Sequence, residues 1–380
     1  MNNELLNGTP RAYLPPSFEA VEQQSKFEIQ GTLGSGGMGT IYDAYDKNIR
    51  RKVAIKCINN ERAQDDISRK YFAKEAQITG QLEHPNIIPV YEMGLNPQGL
   101  FYYVMKRVQG NNLADILDEI RAGNAEFVEK FPIGTLMSIY RKILDAISYA
   151  HSRGVVHLDL KPENVMVGDY GEVLILDWGI ARLRKKSPNA KSDLFVTLDE
   201  HVDIAEELEK EQVIGTPAFM APEQATGQSL AIGTRTDIYS LGAILYNILT
   251  LRPPAAGKTT TVIIKKIVTG RVRDPMSYNK ENNLPEDKQV KLSHIANGKI
   301  PERLSKIAMM AMSERLDDRY QNVAELQKDI DAYFSGHVIK ADSSSISKKS
   351  SLYFNRNKYL LIIILLMMVI NITLLLLAIL

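Results

Sequence analysis

Cysteine is almost missing from this chain of 380 residues: Cys57 is the only one. No intrachain disulfide can form, and the composition suits a reducing compartment. Charge of one sign is missing as well. Lys and Arg total 46 against 45 acidic residues, so overall charge points to neither nucleic acid nor membrane lipid as a partner. The six histidines show no metal-ligand spacing, and no internal repeat marks a solenoid or propeller. Residues 1–26 are polar, carry Pro10, Pro15 and Pro16, and lack the apolar core of a signal peptide. They read as a flexible leader.

Long hydrophobic runs are also scarce, with one exception. From Tyr359 to Leu380 the chain is nearly all Leu, Ile, Met and Val, with Asn371 and Thr373 as polar interruptions. At about 1.5 Å per residue a helix of this length spans roughly 30 Å, the thickness of a bilayer's hydrocarbon core. Such a helix is apolar on every face, unlike a buried core helix. Lys348, Lys349, Arg356 and Lys358 precede the run and nothing follows it. A basic flank favours the cytoplasmic side, so the expectation is a single-pass tail anchor at 359–380 with the preceding chain in the cytoplasm and no extracellular sensor. Residues 335–358, rich in Ser and Lys, read as a solvated linker.

Residues 27–334 change character part-way. Short β-like runs come first: Phe27 to Leu33, Gly39 to Tyr45, Lys52 to Asn59, Ile88 to Leu95 and Leu100 to Met105, interrupted by a helical stretch from Ser68 to Leu82. Helical periodicity then dominates, over Thr135 to Arg153, Thr236 to Thr250, Pro301 to Met312 and Ala324 to Phe334. The pattern predicts a strand-rich lobe and a helical lobe with a cleft between them. Ala122 to Phe131 and Arg184 to Gln212 read as polar surface insertions.

Three motifs carry chemistry. Gly34, Gly36 and Gly39 fall between two strand-like runs, where glycine lets the backbone approach phosphates closely. A dinucleotide site would place a helix next; here a second strand follows, ending in Val53-Ala54-Ile55-Lys56. Lys56 can reach the α- and β-phosphates if a carboxylate holds it, and Glu75 in the following helix is suitably placed. The third motif is His157-Leu158-Asp159-Leu160-Lys161-Pro162-Glu163-Asn164, with Asp177-Trp178-Gly179 after a short apolar strand. Phosphoryl transfer needs a group to accept or orient a hydroxyl and cations across the β- and γ-phosphates. Asp159 suits the first task, Lys161 can neutralise the moving phosphoryl group, and Asn164 and Asp177 offer the hard oxygen ligands magnesium prefers.

In this order the motifs resemble the protein-kinase template, and the chain is similar to the eukaryotic-like Ser/Thr protein kinases of bacteria over Phe27 to Phe334. The resemblance implies an α+β bilobal protein kinase fold, with the transmembrane helix appended, that uses ATP and Mg2+ on protein Ser/Thr hydroxyls, itself included. It continues through Gly215 to Glu223, Asp237 to Gly242, and Arg319. It implies that Glu223 pairs with Arg319 and that Asp237 braces the catalytic loop. It places adenine between Leu33, Ile41 and Ala54 above and Met166 below, against backbone at Lys106 to Val108, with Met105 as gatekeeper. Lys161 and Thr216, in the peptide-binding loop, match Ser/Thr rather than tyrosine kinases.

Two residues depart from the pattern. Leu158 stands where many relatives carry an Arg that grips a phosphate on the activation segment, so activity is expected to depend little on phosphorylation of Ser187, Ser192 or Thr197. Trp178, the only tryptophan, replaces the usual Phe as another large aromatic. The rival readings are a membrane-tethered pseudokinase scaffold, which the complete set of phosphate, metal and base residues argues against, and a small-molecule phosphotransferase, which would usually lack Thr216 to Glu223. Confinement to a membrane favours trans-autophosphorylation within a homodimer.

Overall fold

The computed structural model describes residues 26–183, 217–283 and 290–342, together with Met367. Within these the chain forms, in order, β1 (Phe27–Ser35), β2 (Gly39–Asp46), β3 (Arg51–Ile58), α1 (Asn60–Ala63), α2 (Asp66–Gln81), β4 (Val90–Leu95) and β5 (Phe101–Lys106). There follow β6 (Gly110–Asn112), α3 (Leu113–Ala122), α4 (Ala125–Lys130), α5 (Ile133–Ser152), β7 (Val155–Val156), β8 (Val165–Gly168), β9 (Val173–Ile175) and β10 (Arg182–Leu183). The remaining helices are α6 (Pro222–Ala225), α7 (Thr234–Thr250), α8 (Thr260–Val268), α9 (Glu302–Ala311) and α10 (Val323–Phe334). Two compact units result, residues up to Arg69 with Val90–Arg107, and Lys70–Pro89 with residues from Val108 onward.

The first unit is a five-stranded antiparallel sheet in the order β1-β2-β3-β5-β4. Alternation sorts its side chains. Ala44, Val53, Ile55 and Val104 form a buried cluster on one face, with Phe27, Cys57 and Tyr102 packed against it. The sheet curls, so Phe27 of β1 meets Tyr102 of β5 edge-on at 6.3 Å and Lys26 pairs with Glu92 of β4. The opposite face carries Ile41 and Asp43 of β2 directly across from Lys56 and Ala54 of β3.

The second unit is helical. Nearly every residue of α7 is buried, and α5 turns Leu136, Tyr140, Ile143, Leu144 and Ile147 inward, a spacing that gives one apolar stripe. Tyr140 donates from that stripe to the carbonyl of Leu241 at 3.0 Å, tying α5 to α7. A three-stranded sheet, β6-β8-β9, lies in the same unit. Asn86 anchors the chain entering β4 by donating to the carbonyl of Val173 at 2.9 Å, beside a parallel bridge between Ile87 and Ile175.

Two stretches differ from the sequence reading. Residues 122–131 are no irregular insertion. Asn124 caps α4 by accepting from the Glu126 amide, and the helix packs Phe127 and Val128 against the core with Phe131 buried beside them. Six residues are too few to show a helical period, which is why the stretch looked patternless. Asn112 caps α3 in the same way and Gly123 ends it at φ +81°. The expected domain end at Phe334 and linker start at 335 are also too early. The chain returns over α10 so that Ile339 is 1% exposed and Asp342 is buried. Asp329 accepts the amides of Lys340 and Ala341 at 2.6 and 3.0 Å, and Lys306 pairs with Asp342 at 3.2 Å.

Among the described residues no helix is long and apolar enough to cross a membrane. The expected span at 359–380 lies outside them apart from Met367, as do the leader up to residue 25, Arg184 to Gln212, and Thr216.

Candidate active site

In the first unit the glycine-rich turn is built by its neighbours. The Gly36 amide donates to the carbonyl of Gly39 at 2.9 Å. Gly39 is obligatory for packing, since a Cβ there would lie 2.3 Å from the carbonyl oxygen of Cys57. Gly34 and Gly36 meet no such obstacle. Asn59 Nδ2 donates to the Gly36 carbonyl at 3.1 Å and Arg62 Nε to that of Gly37 at 3.3 Å, so the turn is held from the residue after β3 and from α1. Sequence reading missed both side chains because they lie outside the glycine motif.

Lys56 projects from β3 on the face shared with Ala54, Ile41 and Met105: it lies opposite Ile41 on one side and Tyr103 on the other, and Ala54 lies opposite Met105. Its ammonium is 5.7 Å from the Tyr103 ring centroid. Leu33 stays half-exposed on β1, and Lys106 closes β5. Arg107 donates to Asp43 at 2.8 Å, an ion pair on this face whose members are 18% and 17% exposed. No motif in the chain announced it. Cys57, next to the lysine, points to the apolar face, where burial pushes its thiol up.

In the second unit Val108 precedes β6, and Met166 of β8 pairs across from Asn112. Glu75 of α2 is buried. A Cβ on Gly179 would sit 3.2 Å from both Glu75 Oε2 and Asp177 Oδ1, so this carboxylate borders the Asp177-Trp178-Gly179 turn. Asp177 itself is exposed and adopts φ +57°. Leu158 adopts φ +67°. Two non-glycine residues in the left-handed region, one just before Asp159 and one at Asp177, mark backbone held by its surroundings.

The holding groups are explicit. Asp237 of α7, fully buried, accepts the amides of His157 and Leu158 at 2.8 and 2.9 Å and contacts His151 Nε2 at 2.8 Å. The His157 ring accepts the Asp159 amide through Nδ1 at 3.2 Å, leaving Nε2 to donate to the carbonyl of Leu176 at 3.3 Å. Trp178 packs on that ring at 4.5 Å and is wholly buried. Lys161 Nζ lies 2.8 Å from Asp159 Oδ2. Asn164 Nδ2 donates to the Asp159 carbonyl at 2.9 Å and to Oδ2 at 3.3 Å. The amide nitrogen of Asn164 is thus turned to Asp159 and its oxygen is directed elsewhere. The Leu176 amide bonds the Asn164 carbonyl at 2.8 Å, bringing the chain before Asp177 alongside.

The residues fit magnesium. The side-chain oxygens of Asn164 and Asp177 are the hard donors such a cation takes in ones and twos, with water and phosphate completing its shell. A carboxylate held by an ammonium, an amide nitrogen and a braced backbone is suited to orienting a hydroxyl.

Residues 27–326 match the protein kinase domain family. The chain belongs to that family. Similar proteins include the serine/threonine-protein kinase PknD of Protochlamydia amoebophila, 37% identical over 319 residues that make up 83% of this chain and 30% of the relative. PknD of Chlamydia felis is 33% identical over 82% of this chain and 31% of its own, and PknD of Chlamydia pneumoniae 33% over 88% and 34%. The chain therefore spans about a third of the length of the curated relatives it matches.

One further long-range contact fits the kinase family. Arg319, 1% exposed, holds Glu223 through two bonds of 2.9 Å, and Thr236 adds a third to Glu223 at 2.9 Å. This is the pairing expected at the end of the kinase activation segment. Met312 is buried and Met309 and Met310 pack against the same core, filling space there.

Proposed function

We propose that this chain is a serine/threonine protein kinase that moves the γ-phosphoryl group of ATP to Ser or Thr hydroxyls of proteins, itself included. The observation that carries the reading is Asp159, whose carboxylate is fixed by Lys161 and Asn164 on backbone clamped by Asp237. In this reading Asp159 accepts or orients the substrate hydroxyl proton, and Lys161 offsets charge on the transferring group. Lys56 grips the α- and β-phosphates. Leu33, Ile41, Ala54 and Met166 contact the adenine, Met105 limits its depth, and the backbone of Lys106 to Val108 hydrogen-bonds its edge. Gly34, Gly36 and Gly39 bring backbone amides to the phosphates, and Thr216 contacts the substrate peptide. Asn164 Oδ1 and Asp177 would hold magnesium, which when bound neutralises charge on the β- and γ-phosphates.

Radiolabel transfer from γ-labelled ATP, with the Asp159→Asn variant as control, tests this. Label in the wild type and background in the variant is the expected result. Background in both would favour a pseudokinase scaffold.

The location reading is likewise ours. The apolar run at 359–380 and its basic flank support a single membrane span with the kinase domain on the cytoplasmic side, and tethering would favour phosphorylation between copies. Recovery of the chain in the soluble fraction after membrane flotation would contradict it.

A further inference from the structure

The Leu158 peptide is gripped at both ends by side chains distant in sequence. Its amide donates to Asp237 Oδ1 at 2.9 Å, and its carbonyl accepts from Gln224 Nε2 at 2.8 Å. Gln224 is buried, and its own Oε1 accepts the Ala221 amide at 3.3 Å, so both ends of the carboxamide are engaged and its orientation is set. Its neighbour Glu223 is bolted to Arg319 and Thr236, which makes α6 a rigid support. Leu158 needs such support. At φ +67° a residue with a Cβ sits in backbone space that costs of order 1–3 kcal/mol unless surroundings impose it.

We propose that Gln224 is a positioning residue for Asp159: by donating to the Leu158 carbonyl it links the end of the activation segment to the catalytic loop through an uncharged amide. The inference rests on the reading of Asp159 as the group that orients the hydroxyl. Leu158 has no cation with which to grip a phosphate, so this amide connects the two segments without one. The cause of the effect is geometric. A Leu158 peptide free to rotate would carry Asp159 with it, and displacements of about 1 Å near the reacting atoms can cost on the order of 100-fold in rate.

Two variants of the full chain separate positioning from folding. Gln224→Met removes both polar ends at similar volume. Gln224→Glu keeps the acceptor for Ala221 but, when ionised, replaces the donor to Leu158 with an oxygen that repels its carbonyl. The experiment measures kcat, KM for ATP and thermal stability for both, beside Asp159→Asn. The expected result is kcat lowered roughly 10- to 100-fold in each Gln224 variant, with KM for ATP unchanged and both variants still folded at the assay temperature, melting only on the order of a few degrees lower. Unchanged kcat in both overturns the proposal. So does a loss of kcat that tracks loss of folded protein, or failure of both variants to fold, since either makes Gln224 structural only. If Asp159→Asn retains full transfer, the reading of Asp159 has failed instead, and the positioning role falls with it.

Discussion

Cutting the chain after Phe334, where the helical periodicity ends, should unfold or severely weaken the helical unit, whereas cutting after Asp342 should not. Residues 335–342 contribute three separable terms. Ile339 is 1% exposed, and burying such a side chain stabilises by about 1.5–3 kcal/mol. The amides of Lys340 and Ala341 both donate to Asp329, and a hydrogen bond to a charged group contributes about 1.5–3 kcal/mol. Without them Asp329, itself buried, keeps the Tyr320 hydroxyl at 2.7 Å. Losing Asp342 also leaves Lys306 without one of its two carboxylates, the other being Glu302 at 2.7 Å. The sum is roughly 5 kcal/mol, a large share of the 5–15 kcal/mol that holds an ordinary domain together. At about 2 °C per kcal/mol, the melting temperature should fall by on the order of 10 °C. Differential scanning fluorimetry of chains 1–334 and 1–342 gives the comparison, and Ile339→Ala should reproduce about 2–5 kcal/mol of the loss. Equal melting temperatures for the two chains would refute the reasoning.

Other outcomes follow from individual groups. His294 is buried and donates from Nε2 to the Ile248 carbonyl, and desolvation holds its pKa below the ordinary value. The unfolded chain therefore takes up the proton first, so stability is full above about pH 6.5 and declines as pH falls from there toward the depressed folded value. Melting curves from pH 7.5 to 5.5 should show that slope, and His294→Gln should flatten it. Arg319→Met should cost about 3–5 kcal/mol, because Glu223 is left charged and buried, and the added change Glu223→Gln should recover part of it in urea melts. Replacing Ser187, Ser192 and Thr197 with Ala together should change kcat by less than about two-fold, since Leu158 offers no cation to a phosphate there. Loss of transfer with the fold intact would contradict that.

The elements that were legible in the sequence are those with a strong period or a punctuating motif. The five strands of the first unit and the helices at α2, α5, α7, α9 and α10 appear within a few residues of where alternation and 3.6-residue spacing put them. The grouping of Asp159, Lys161 and Asn164 was legible for a related reason: they sit at short, fixed spacings on one loop, so the chain alone brings them near each other. What escaped was contact between segments far apart. Gln224 reaches Leu158 across 66 positions and Arg107 reaches Asp43 across 64. An amide or a guanidinium in those places reads as ordinary surface until the fold supplies its partner. The strap that ends in Asp342 was missed because Gly336 and the serines beyond look solvated, while one isoleucine and one aspartate do the anchoring.

Trp178 has a practical consequence. As the chain's single indole, buried against the imidazole that steadies Asp159, it makes the protein its own optical reporter. Excitation at the red edge of aromatic absorption isolates one emitter, adjacent to the proposed metal-holding carboxylate, and any rearrangement there on nucleotide arrival should register as a change in its intensity or colour without a dye.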